Sequence, residues 1–77
     1  MKDLLLYLTR HIVTNPDAVT VEETASDQGF SSLTLTVDPQ DMGKIIGREG
    51  RIIKALRDLV KVLAVKKGLK TSVLLKE

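Results

Sequence analysis

The chain has 77 residues, of which 43% are hydrophobic, 29% charged and 3% aromatic, and it carries a net charge of +2. That length holds one small domain, the apolar fraction excludes a disordered chain, and no apolar run reaches the roughly 20 residues needed to span a bilayer. With no cysteine and a single histidine, His11, there is no disulfide, no thiolate metal site and no set of paired titratable groups for an enzyme.

The apolar start, Leu4-Leu5-Leu6-Tyr7-Leu8, is cut short by Arg10 and His11, and no small-residue cleavage site follows. A cytoplasmic domain without cofactor or metal is therefore expected. Residues 3–13 read as a helix, with Leu5, Leu8 and Ile12 recurring at helical spacing. Asn15-Pro16-Asp17 stops it. Residues 18–25 alternate imperfectly through Val19 and Val21, as in a half-buried strand. Ser26-Asp27-Gln28-Gly29 reads as a turn, and residues 30–37 as the second strand of an antiparallel hairpin. Phe30, at that strand's start, is expected in the core.

Asp38-Pro39-Gln40-Asp41 is a helix start. Asp38 caps, Pro39 fits the first helical position, and Asp41 is expected to reach back to the cap. Gly47 ends this helix early. Residues 50–67 form the longest helix, with Ile52, Ile53, Leu56, Leu59, Val60 and Leu63 on one face. Lys66-Lys67-Gly68 closes it, and residues 71–76 form a last strand.

Charge is uneven along this order. Residues 1–43 hold two basic side chains against seven acids, a net −5. Residues 44–77 hold ten basic side chains against three acids, a net +7. The asymmetry suggests an anionic partner for the second half, or two halves that neutralise each other across the fold.

The most informative segment is Gly43-Lys44-Ile45-Ile46-Gly47-Arg48-Glu49-Gly50-Arg51-Ile52-Ile53. It fits neither GxxxxGK[ST] nor GxGxxG after a strand. Two helices meet across four residues, which calls for corners without a Cβ. The amides near Gly50 open the long helix and point partial positive charge outward. Lys44, Arg48 and Arg51 add full charges, so the segment outlines a phosphate clamp.

Ile46-Gly47-x-x-Gly50-x-x-Ile53 between two helices, with strands either side, resembles the KH domain, a binder of single-stranded RNA and sometimes DNA. The order αββααβ matches the type II form, an α+β fold with a three-stranded mixed sheet packed against three helices. Residues 1–77 are then a single KH domain. Asn15-Pro16-Asp17-Ala18-Val19 and Asp38-Pro39-Gln40-Asp41-Met42-Gly43 bring it closest to the small stand-alone bacterial KH proteins, the KhpA family.

The resemblance implies a non-catalytic RNA binder. It makes Gly47, Arg48, Glu49 and Gly50 the GXXG loop and sets Ile45 and Ile46 along the nucleotide groove. Lys44, Arg51, Ile53 and Lys54 complete the expected contact set. Glu49 departs from the two basic residues frequent between these glycines; it either repels phosphate or pairs with a nearby cation. With Tyr7 remote and Phe30 internal, base stacking is not expected, and the grip should fall on backbone and an aliphatic groove. Arg57, Lys61, Lys66 and Lys67 either extend the phosphate track or form an ordinary solvated face.

Surplus apolar surface at Ala55, Leu59 and Val62 suggests a dimer seam, with a few scattered exposed side chains as the alternative. The family implies self-association, pairing with a larger KH-containing protein of the KhpB (EloR or Jag) kind, and roles in RNA-based regulation, as an RNA chaperone, or in cell shape and division. Two rival functions remain: a scaffold acting through that partner, and single-stranded DNA binding. Asp at both Gly47 and Gly50 is expected to abolish binding and leave the fold intact.

Overall fold

A computed structural model describes residues 1–26 and 28–76. Asp27, assigned above to the turn, lies outside the described residues. The elements are α1 (Lys2–Ile12), β1 (Thr20–Ala25), β2 (Phe30–Thr36), α2 (Met42–Ile46), α3 (Arg51–Lys66) and β3 (Lys70–Leu75). Short 3-10 turns at Pro16–Ala18, Pro39–Asp41 and Arg48–Gly50 join them. The expected αββααβ order and three-stranded mixed sheet are both present. No helix among the described residues is long and apolar enough to cross a membrane.

The sheet order is β1-β2-β3, with β1 antiparallel and β3 parallel to the central β2. Register sets Val21 opposite Leu35 and Leu33 opposite Val73. These side chains face the helices and meet Leu5, Ile45, Ile53, Leu56 and Val60 in one core. Leu5, Leu33, Leu35, Ile45 and Val60 are fully buried, each contributing about 1.5–3 kcal/mol of hydrophobic stabilisation. At the end of α3, Leu69 N–H donates to Ala64 O at 2.8 Å and Gly68 N–H to Val65 O at 3.0 Å. This pairing satisfies the last helical carbonyls and turns the chain into β3.

Phe30 is 49% exposed, not internal as expected. Inward positions of β2 are the odd ones, Leu33 and Leu35, continuing to Val37. Phe30 is out of phase with them and sits at the start of the strand, beside Val65 and Leu69 at the end of α3. Leu59 is likewise 42% exposed, at the border of the buried stripe of α3.

Asp41 also departs from expectation. Asp38 caps as foreseen, its Oδ1 accepting from Gln40 N–H at 2.9 Å. Asp41 does not reach back to that cap. It is buried, and its two carboxylate oxygens accept the Thr14 and Asn15 amides, each at 3.0 Å. Asp38 adds a second tie, Oδ2 accepting from Asn15 Nδ2 at 3.1 Å. The chain leaving α1 is thus fastened to the start of α2. The Thr14 and Asn15 amides, with help from Lys44, hold the Asp41 carboxyl below its ordinary value of 3.8.

A depressed folded-state value means that the ionised form stabilises the fold. That contribution is present above 3.8 and is lost as pH falls through the lower folded-state value. Asp41→Asn should therefore lower Tm by several degrees at neutral pH. Thermal melts across the acid range should show the gap from wild type closing only below 3.8.

Candidate nucleic-acid interface

The chain passes from α2 to α3 through Gly47, Arg48, Glu49 and Gly50. Gly47 takes φ 72° and ψ −178°, a region open essentially to glycine alone. Glu49 and Gly50 follow in left-handed conformations, at φ 58° and 74°. A Cβ on Gly47 would lie 2.6 Å from Cγ1 and 3.0 Å from Cβ of Ile52. Ile52 is β-branched and helical, so its χ1 cannot swing away freely. Around Gly50 a Cβ would meet nothing within 4 Å. The two glycines thus have different reasons to be glycine, and the expectation of an intact fold with Asp at both positions is corrected at Gly47.

Three backbone hydrogen bonds tighten the loop. Gly47 N–H donates to Gly43 O at 2.9 Å, Gly50 N–H to Gly47 O at 3.3 Å, and Arg51 N–H to Arg48 O. The Arg48 and Glu49 amides lie among these bonds, in the 3-10 turn Arg48–Gly50. They sit at the N-terminus of the 16-residue α3, where the helix dipole favours an anion.

The expected contact residues divide into three groups. Arg48, Glu49, Arg51 and Lys54 are exposed at or just after the loop. Ile46, 36% exposed, is the one apolar side chain of the set that reaches the surface. Ile45 is fully buried and Ile53 is 8% exposed, so both shape the site from beneath. The reason is geometric: Ile45 and Ile53 are the inward positions of helices that converge on the sheet. Lys44 is held elsewhere, its Nζ bonded to Thr14 Oγ1 beside Asp41.

Glu49 and Arg51 approach to 3.6 Å, the one ion pair among the described residues, and both side chains are exposed. Such a pair contributes at most about 1 kcal/mol. Arg48, Lys54 and Lys61 carry no carboxylate partner among the described residues. Glu22 and Glu23 lie on β1, the opposite edge of the sheet from β3. The charge asymmetry of the sequence thus becomes a spatial one. Ala55, Leu59 and Val62 form an exposed stripe on another face of α3. Beside it, a hollow of about 410 Å³ between α1 and α3 is lined by Leu8, Ile12, Ile52 and Leu59 among others.

Residues 2–75 match the family model described as KhpA/KhpB, KH domain. An RNA-binding protein KhpA from Clostridium acetobutylicum is 46% identical over 68 residues, covering 88% of this chain and 89% of its own length. Its counterpart in Clostridium perfringens is 41% identical over 73 residues, covering 95% and 96%. The Chlamydia caviae protein is 42% identical over 74 residues, covering 94% and 91%. The chain belongs to the KhpA/KhpB KH-domain family, which is not an enzyme family.

The two loop glycines should separate in a stability measurement. Gly47→Ala combines a strained backbone with a clash, each worth about 1–3 kcal/mol. Gly50→Ala meets open space and costs about 1–2 kcal/mol. Urea titrations of both variants check the order; equal losses would contradict it.

Proposed function

We propose that this KH domain binds single-stranded RNA without catalysing a reaction, holding the strand at the Gly47–Gly50 loop. The observation that carries the reading is the glycine-cornered turn at Gly47 and Gly50, which opens the N-terminus of α3 beside the exposed Arg48 and Arg51. The loop backbone and the Arg48 guanidinium suit consecutive phosphate oxygens. Arg51 and Lys54 continue the positive surface, and Ile46 offers the apolar contact for an unstacked base. The naming of the relatives as RNA-binding proteins supports the same reading.

The proposed working unit is a dimer, either of two copies or with a KhpB-like chain. The stripe Ala55–Leu59–Val62 and the adjoining α1–α3 hollow supply its apolar face. Two linked clamps gain avidity that one small loop lacks. A unit of this kind serves RNA-based regulation in the cytoplasm. The same face favours a second reading, in which the domain acts chiefly as a scaffold for a larger KH-containing partner and RNA contact is incidental.

Four measurements test this. Arg48→Glu should weaken RNA binding at least about tenfold, since a charge-assisted hydrogen bond is worth about 1.5–3 kcal/mol. Binding should fall with salt, because phosphate contacts release counterions; the slope should be shallower in Arg48→Glu. Parallel titrations with deoxyribo-oligomers separate RNA from DNA preference. Leu59→Gln with Val62→Gln, which leaves net charge unchanged, should yield a monomer by sedimentation equilibrium while loop binding persists. Full function in Arg48→Glu and none in the monomer would favour the scaffold.

A further inference from the structure

The far end of α3 carries a second apolar surface that the loop does not use. Phe30, Val65 and Leu69 are 49%, 65% and 45% exposed. With Lys61, Lys70 and the β3 hydroxyl groups they line an open hollow of about 390 Å³. Lys70 Nζ lies 5.1 Å from the Phe30 ring centroid, over its face. That contact holds a positive charge beside the aromatic wall.

Such a hollow has an aromatic wall, an aliphatic floor and two ammonium groups at its rim. It suits a ligand that is flat and apolar on its faces and anionic alongside, which describes a nucleobase on its phosphodiester. Aromatic stacking of this kind accepts any base. A basic flank of α3 runs from the loop toward the hollow. Lys54, Arg57 and Lys61 share one flank of α3 at spacings of three and four. Arg57 and Lys61 line the adjoining hollow along the free edge of β3, and the two hollows share Lys61, Thr71 and Ser72. Arg57 is fixed on this route, its Nε donating to Val73 O at 3.1 Å. Asp58 is the single acid in that lining. At 1.5 Å per residue, Val65 lies about 22 Å along α3 from Gly50. Only a strand longer than the four nucleotides of a GXXG groove reaches it.

We infer that Phe30, Val65 and Leu69, rimmed by Lys61 and Lys70, form a second subsite that receives an unstacked base of the RNA strand held at the loop. The inference rests on the RNA reading of the loop. Tetrauridylate and decauridylate are titrated by fluorescence anisotropy against wild type, Phe30→Ala and Arg48→Glu, with thermal melts confirming that each variant folds. Phe30→Ala should leave tetrauridylate affinity unchanged and weaken decauridylate about fivefold or more, as loss of a stacking ring does. Arg48→Glu should weaken both. Equal decauridylate affinity in wild type and Phe30→Ala overturns the subsite while the loop reading stands. Failure of wild type to bind either oligomer overturns the loop reading and the subsite with it. A changed oligomeric state in Phe30→Ala with RNA affinity unmoved assigns the hollow to a protein contact and likewise overturns the inference.

Discussion

The close approach of Ile52 to the bare backbone of Gly47 is the contact on which the site depends. It lets α2 and α3 join across four residues, and it forces Gly47 into a conformation that other residues avoid. The strain is local, and the converging helices hold it in place through Ile45 and Ile53 beneath. The four-residue turn thereby lies at the N-terminus of α3, where the helix dipole adds partial positive charge.

Asp41 extends that constraint to the rest of the molecule. Its carboxylate ties the chain leaving α1 to the entrance of α2 through two backbone amides. The loop is therefore anchored on one side by a charged tether and on the other by the hydrophobic stripe of α3. Lys44 belongs to this anchoring, since its ammonium is held at Thr14 beside Asp41. The exposed cations near it are Arg48 within the loop, then Arg51, Lys54 and the flank of α3 that follows.

Much of this was legible in the sequence. Periodicity and breakers located all six main elements to within a few residues, because each hydrophobic stripe matches its element's period. The GXXG spacing located the loop. The failures share a cause: they concern where a side chain goes once elements pack. Ile45 and Ile46 are neighbours in sequence, yet one is buried and the other reaches solvent. Asp41 carries a capping pattern, yet its partners lie 26 and 27 residues away. Phe30 is different, because its even position against Leu33 and Leu35 already signalled a place outside the core. Its aromatic character outweighed its phase, and the low aromatic content was read as an absence of stacking surface.

The proposed RNA grip puts phosphate against the backbone of the Gly47–Gly50 loop. Backbone amide NMR during titration with a short oligouridylate tests it most directly. The Arg48 and Glu49 resonances should shift first and furthest, with those of Glu22 and Glu23 on the opposite edge unmoved. Shifts concentrated elsewhere, with the two loop amides silent at saturation, would contradict it.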